Sequence, residues 1–364
     1  MKILEVNAKD LKYNIKKIVE RADKSKVIAV VKGNGYGLGL KEFSEFLVSS
    51  GIDYLAVSSV EEAIELANMK LNAKILCMEA TSVENEISIL LENNVVITIG
   101  NYNTAVILNR LAKEKNIKAI AHLKIDTGFS RYGFCYKDKE NIYKTISENS
   151  SVLIEGVYSH FSSAYFDNQN YTDLQLNRFL NIKKYLKEKN IEIPMYHIAN
   201  SSAFLTRDDV FLDAVRIGSA FLGRISVKNT IELKRIGMLK SNVVELKKID
   251  ANTPVGYSNS VITKRKTKLA IIPVGYADGF NVEIANDTFK FVDKLRILKN
   301  CVKSLFRDNR IYVLINDTRY PVIGRVGMNH FSVDVTGSDI EIDDEVKINM
   351  SPILVSSKIR REYK

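Results

Sequence analysis

Short apolar runs alternate with amphipathic stretches through the first 217 residues, and that alternation leaves few folds open. The runs are Val27–Val31, Tyr54–Ser58, Lys74–Met78, Val95–Ile99, Ala119–Ile125, Ile154–Ser159, Met195–Ile198 and Ala214–Ile217. They are short and largely apolar, so they read as buried strands. Between them Leu38–Val48, Val60–Ala67, Tyr102–Leu111 and Leu174–Leu186 carry apolar residues at helical spacing. Eight strands alternating with helices predict an α/β fold, a (β/α)8 TIM-like barrel over residues 9–225.

The pattern changes after Leu222. Strand-like runs at Asn242–Ile249, Lys268–Gly275, Arg310–Ile315, Ser332–Val335 and Glu345–Ile348 are separated by turn signals such as Asn316-Asp317 and Arg307-Asp308-Asn309. They predict a C-terminal, mostly β domain over residues 226–364, joined by residues 1–8. The stretch from Phe280 to Arg310 reads as a basic insertion holding a helix.

The remaining bulk features narrow the class of protein. No segment approaches 18 uncharged apolar residues, so no transmembrane helix is expected. The opening MKILEVNAKDLKYNIKKI turns charged too soon for a signal peptide. Cys77, Cys135 and Cys301 are odd in number and far apart, which gives no metal-ligand spacing and points to a reducing, cytoplasmic setting. The net charge of +10 is spread along the chain among 43 acidic residues. The local clusters Lys264–Lys268 and Lys358–Arg361 sit in no nucleic-acid-binding motif, so a solvated basic surface is expected, with neither nucleic acid nor membrane as partner.

A barrel of this kind presents its chemistry just after its strands. In Val30-Val31-Lys32-Gly33-Asn34-Gly35-Tyr36-Gly37-Leu38-Gly39 a lysine leaves an apolar strand and enters a glycine-rich turn. The ordinary reading is a surface lysine capping a strand. The glycines, which let backbone approach a ligand, and Tyr36 one turn later favour a desolvated, nucleophilic amine instead. Other strand ends repeat the theme. Lys124 to Gly128 with Arg131 ends the fifth, and Ser159-His160 ends the sixth. His197 with Asn200-Ser201 ends the seventh, and Arg216-Ile217-Gly218-Ser219 ends the eighth.

Together with VGYSNS, PVGYADGF and VIGRVGMN further on, the ordered set VVKGNGYG, HLKIDTGFSRYGF, VYSHF, HIANSS and VRIGSAFLG closely resembles the alanine racemase family over essentially the whole chain. The resemblance implies a homodimeric, pyridoxal-phosphate-dependent enzyme that racemises an amino acid, alanine first, on the way to cell-wall precursors. It implies that Lys32 holds the cofactor covalently and is one of two catalytic bases. Tyr257, from the β domain of the other subunit, matches the second. Tyr36, Ser201, Gly218 and Ser219 match the phosphate cradle, with Asn200 and His160 also beside the cofactor. Arg216 matches the residue facing the ring nitrogen. Arg131, Tyr276 and the backbone of Met328 match substrate contacts, and Lys124 matches a position open to carbamylation. His197 is expected behind these residues, His122 and His330 as structural or peripheral, and Asp126 and Thr127 as shapers of a turn.

The chain departs from the family pattern at Leu38, where a histidine is usual, and at Gly33 and Gly35, where alanines are usual. Asn329-His330 replaces Asp-Gln, and Ser357 stands where a tyrosine is expected beside the substrate side chain. Ser357 opens the alternative of a serine or broad-specificity racemase. A non-catalytic cofactor carrier is disfavoured by the added β domain, and an inactive paralogue is the remaining alternative.

Overall fold

Each of the eight expected runs forms a strand in the computed structural model of the chain, which describes residues 1–283, 291–305 and 310–364. They are β1 (Lys26–Val30), β2 (Tyr54–Val57), β3 (Lys74–Cys77), β4 (Val96–Ile99), β5 (Ala119–Asp126), β6 (Val152–Tyr158), β7 (Met195–His197) and β8 (Ala214–Ile217). All pair in parallel with their chain neighbours, and β1 pairs with β8, so the sheet closes into a barrel. Ile28, Val30, Tyr54, Ala56, Leu76, Val96 and Ala214 form one buried cluster. The two-residue spacing within β1 and β2 is the period that sends alternate side chains to one face of a sheet.

The helices between the strands start where capping chemistry allows. Asn7, Ser59, Asn101, Asp138 and Asn200 each accept a backbone N–H from the first turn that follows. The exception to ordinary geometry lies after β1. Gly33, Asn34, Gly35 and Tyr36 have φ of 64°, 54°, 64° and 52°, so Lys32–Tyr36 is a left-handed helical turn. Left-handed turns are costly for residues with a Cβ, which explains glycine at two of the four positions.

The chain divides into two compact units, Asn7–Ile236 and a second made of Met1–Val6 with Gly237–Lys364. Residues 226–236, expected with the β domain, group instead with the barrel. The reason is Asn14, a buried side chain in the helix Ala8–Ala22. Its amide donates to Phe221 O at 2.9 Å and Lys234 O at 2.7 Å, and its oxygen accepts Lys234 N–H at 2.8 Å.

In the second unit, nine strands form a largely antiparallel sheet among the described residues. The order is Glu245–Ile249, Thr267–Ile272, Phe331–Asp334, Thr318–Ile323, Tyr312–Ile315, Glu345–Ile348, Met238–Asn242, Ile3–Val6 and Arg360–Tyr363. The expected single strand Asn242–Ile249 is in fact parts of two. The chain switches partner between Val243, bonded to Asp344 O, and Val244, bonded to Ile271 O. Asn316 and Asp317, both at positive φ, make the tight turn foreseen between Tyr312–Ile315 and Thr318–Ile323. The helix Phe291–Leu305 lies in the expected insertion, whereas the turn signal Arg307-Asp308-Asn309 falls outside the described residues. No helix among the described residues is long and apolar enough to cross a membrane.

Replacing Asn14 by Ala strands the buried Phe221 carbonyl and the half-buried Lys234 carbonyl and N–H at once. We expect a loss of about 2–4 kcal/mol of stability, read as a lower urea midpoint with unchanged slope.

Candidate active site

A cavity of about 390 Å³ opens at the C-terminal ends of the barrel strands. Lys32, Tyr36, Lys124, Arg131, His160, Asn200, Ser201, Arg216, Gly218 and Ser219 all line it, so one place gathers every barrel residue singled out in the sequence as catalytic, cofactor-binding, carbamylated or carboxylate-binding. Its size lies within the range of small-molecule sites.

Lys32 enters the cavity from the left-handed turn after β1. Burial lowers its amine pKa, the positive charge of Arg131 lowers it further, and Glu62 opposes both. Glu62 also holds the turn, accepting Asn34 N–H at 3.0 Å. Burial pushes the Tyr36 phenol up to about 12. The Tyr36 hydroxyl lies so close to Gly218 that a Cβ there would sit 2.4 Å from it. Ser201 Oγ accepts Gly218 N–H at 3.0 Å and Ala220 N–H at 3.4 Å. Ser201 thus holds the Gly218 N–H, and the bare Gly218 leaves room for the Tyr36 hydroxyl. Asn200 caps its helix through Ala203 N–H at 3.0 Å.

Lys124 and Arg216 line the buried floor. Lys124 Nζ lies 4.3 Å over the Tyr158 ring. Burial, then the charges of Arg216 and Arg131, hold its pKa well below the usual lysine value. Arg216 Nη1 approaches His197 Nδ1 at 2.7 Å, and Nη2 donates to Ser159 O at 2.6 Å and approaches His160 Nδ1 at 3.1 Å. A guanidinium has only donors, so both histidine nitrogens accept and both rings keep their hydrogen on Nε2. Burial and the Arg216 charge hold the His160 and His197 pKa values well below the ordinary range.

Asp126 shapes the turn as expected, accepting N–H groups of Gly128, Phe129 and Ser130. Thr127 bonds Ser159 Oγ at 2.8 Å. Gln175, which sequence reasoning missed, ties the loops after β5 and β6 together through Thr127 Oγ1, His160 O and Ser162 N–H. Tyr158 was also missed, although it directly precedes Ser159-His160. Its ring stacks on His197 with centroids 5.0 Å apart, and its hydroxyl bonds Thr98 Oγ1 at 2.9 Å.

Tyr257, Tyr276 and Met328 belong to the second unit and gather there. Tyr276 N–H donates to Gly327 O at 3.1 Å and Ala277 N–H to Met328 O at 3.0 Å. Gly275 permits this approach, since a Cβ would lie 2.1 Å from Met328 O. A Cβ on Gly327 would lie 3.5 Å from the Tyr257 ring, and Tyr257 shares a small cleft with His330. Tyr257 is 65% exposed on a loop where Gly256, Ser258 and Asn259 all have positive φ. Leu38 is fully buried, and Ser357 is exposed within the second unit.

Fold and site define an α/β-barrel enzyme whose lysine-centred pocket is built for a small anionic ligand. The alanine racemase N-terminal domain matches residues 6–225 and the alanine racemase C-terminal domain residues 236–356. The chain therefore belongs to the alanine racemase family and is an isomerase of racemase type. It is 33% identical over 353 residues to alanine racemase 2 of Caldanaerobacter subterraneus subsp. tengcongensis, covering 95% of this chain and 84% of that one. The solved alanine racemase of Clostridium difficile 630 superposes with a TM-score of 0.84 at 26% identity, covering 99% of this chain and 88% of that one. The alanine racemase of Bartonella henselae, solved with covalently bound pyridoxal phosphate, has the same fold with a TM-score of 0.82 at 24% identity, covering 100% of this chain and 99% of that one.

The charges around Lys32 set its reactivity in opposite senses. Arg131→Met should move its titration to higher pH and Glu62→Gln to lower pH. Cyanate labelling of Lys32 against pH, read by peptide mass spectrometry, checks both signs.

Proposed function

We propose that the chain is a pyridoxal-phosphate-dependent racemase interconverting L- and D-alanine, acting in the cytoplasm as a homodimer. The observation that carries this reading is Lys32, an amine with a lowered pKa in a cavity walled by Arg131, Arg216 and hydroxyl groups. The donor set fits the cofactor. Lys32 would hold its aldehyde end, while Tyr36, which the bare Gly218 lets approach, Ser201 and the Ser219 N–H would hold its phosphate. Arg216, which only donates, would face the ring nitrogen and leave it unprotonated, with His160 and Asn200 beside the ring. Bound there, pyridoxal phosphate draws electrons from the amino-acid α-carbon and loosens its proton.

Inverting that carbon requires a proton acceptor on one face and a donor on the other. Lys32 Nζ, its pKa lowered by burial and by the Arg131 charge, takes or returns the proton on its face. Tyr257 of a second copy does so on the other, which makes the dimer a requirement of the chemistry. The exposure of Tyr257, Tyr276 and Met328, at 65%, 48% and 53%, supports a surface that another chain covers. Arg131 grips the substrate carboxylate as a planar fork, helped by the backbone of Met328, and Tyr276 lines the substrate.

Lys124 is proposed to be carbamylated. Its buried amine, held well below the usual lysine pKa, would attack carbon dioxide, forming an N–C bond as one C=O π bond opens and one proton is released. The resulting anion would then orient Arg131. Free thiols at buried Cys77 and exposed Cys135 support a reducing compartment. The family resemblance supports a product destined for cell-wall precursors.

The purified protein should show cofactor absorbance that Lys32→Ala abolishes. Tyr257→Phe should keep the cofactor yet lose roughly 10²–10⁴-fold in kcat. Retention of rate would refute the two-base scheme. The kcat/KM for L-alanine should exceed that for L-serine, and the reverse would move the assignment to a serine racemase. Sedimentation should show a dimer whose activity falls on dilution, and a fully active monomer would overturn the shared site.

A further inference from the structure

Arg216 is buried, yet its direct contacts are all neutral acceptors: His197 Nδ1 and O, Ser159 O, His160 Nδ1 and Ile198 O. A buried cation needs a counter-charge, and the hydrogen-bond directions lead to one. His197 Nδ1 accepts from Arg216, so its Nε2–H donates across 2.9 Å to His122 Nδ1. His122 must then carry its hydrogen on Nε2, 3.1 Å from the Tyr54 hydroxyl oxygen. The Tyr54 hydrogen is left needing an acceptor. Glu155 is placed to supply it: its carboxylate acts on the Tyr54 phenol through charge and side-chain hydrogen bonding, and its buried Oε2, 4.0 Å from His122 Nε2, has no other donor. The other oxygen, Oε1, is bonded by Lys74.

We infer that Glu155 is the remote counter-charge of Arg216, joined to it through Tyr54, His122 and His197 by hydrogen bonds that all run one way, and that it acts as a positioning residue for the guanidinium.

The backbone is bent to build this arrangement. The β5–β6 register slips between Ala121, opposite Ile154, and His122, opposite Gly156, which makes Glu155 the extra residue of a bulge. Gly156 completes the space, since a Cβ there would lie 2.6 Å from the His122 ring. Both devices weaken a strand, and both serve to seat His122 beside Glu155. The histidines pass the polarity on without carrying charge. Burial, then Arg216, pushes the His122 pKa down to about 3 and holds that of His197 well below the ordinary value. Burial followed by the Glu155 charge raises that of the Tyr54 phenol. Reversing the relay would require Arg216 to accept a hydrogen bond, so the guanidinium stays charged and fixed in orientation.

The kinetic part of the test rests on the racemase reading, and the spectroscopic part does not. In histidine-labelled protein, ¹⁵N NMR should show His122 and His197 as Nε2–H tautomers near neutral pH, with and without cofactor. A Nδ1–H or doubly protonated ring at either position overturns the relay even if the protein racemises nothing. Glu155→Gln and Tyr54→Phe should each lower kcat for alanine about tenfold with KM little changed, and the double variant should be no worse than the poorer single one. Multiplying losses would overturn the shared relay. Glu155→Asp should recover part of the rate. Lys74→Met, which removes the ion-pair partner and spares the carboxylate, should keep the rate. An equal loss there would assign the effect to the ion pair and overturn the inference.

Discussion

Positive charge is concentrated at the mouth of the barrel, and its containment governs how the surrounding structure is built. Lys32, Lys124, Arg131 and Arg216 line one cavity, and for the two lysines burial adds to the repulsion of the arginine charges. Lysine and arginine answer that pressure differently. A lysine can release its proton and become a neutral nucleophile, whereas an arginine stays charged and must find acceptors. The pressure therefore sorts the four groups by chemistry, giving two amines of lowered pKa and two permanent cations. The same surplus charge favours ligands that bring anions, such as a phosphate or a carboxylate.

Backbone geometry that strands and helices would not choose holds these groups in place. The left-handed turn over Gly33–Tyr36 presents Lys32 and Tyr36 from one short segment. Gly133, at φ 116°, lets its loop pass so close to Lys124 that a Cβ would lie 2.7 Å from the Lys124 carbonyl. Gly218 leaves room for Tyr36, and Gly156 for His122. Each device gives up some local stability, and each lies beside a polar or charged side chain of the cavity or its floor, as expected where function outranks folding economy.

That distribution explains what was legible in the sequence. The eight barrel strands were found within two residues at either end, because a buried parallel strand writes itself as an uninterrupted apolar run. Motif residues at strand ends were legible for the same reason, since a lysine or arginine after such a run stands out. The strand pairing at one end of the β sheet was not, although residues 1–8 were expected to join that unit. Ile3–Val6 and Arg360–Tyr363 pair with each other from opposite ends of the chain, and no local pattern records a partner that distant. His122 is expected from sequence only as structural or peripheral, and Glu155 draws no expectation, because each sits inside a strand as a lone polar residue. Their meaning depends on a bulge and on the tautomers that Arg216 imposes two side chains away.

The proposed split of the acid/base groups between two folding units has an electrostatic logic of its own. Burial that lowers the pKa of an amine raises that of a phenol, as Lys32 and Tyr36 show inside one cavity. A phenol that must release a proton near neutral pH is therefore poorly served by a dry wall and well served by nearby cations. An amine on that wall gains from desolvation and from the same cations. The two needs are met together when the amine is rooted in the barrel floor and the phenol stands on an exposed loop of a separate unit. Lys32 stands on such a wall in the barrel unit, and Tyr257 stands on an exposed loop of the second unit, in keeping with the roles proposed for them.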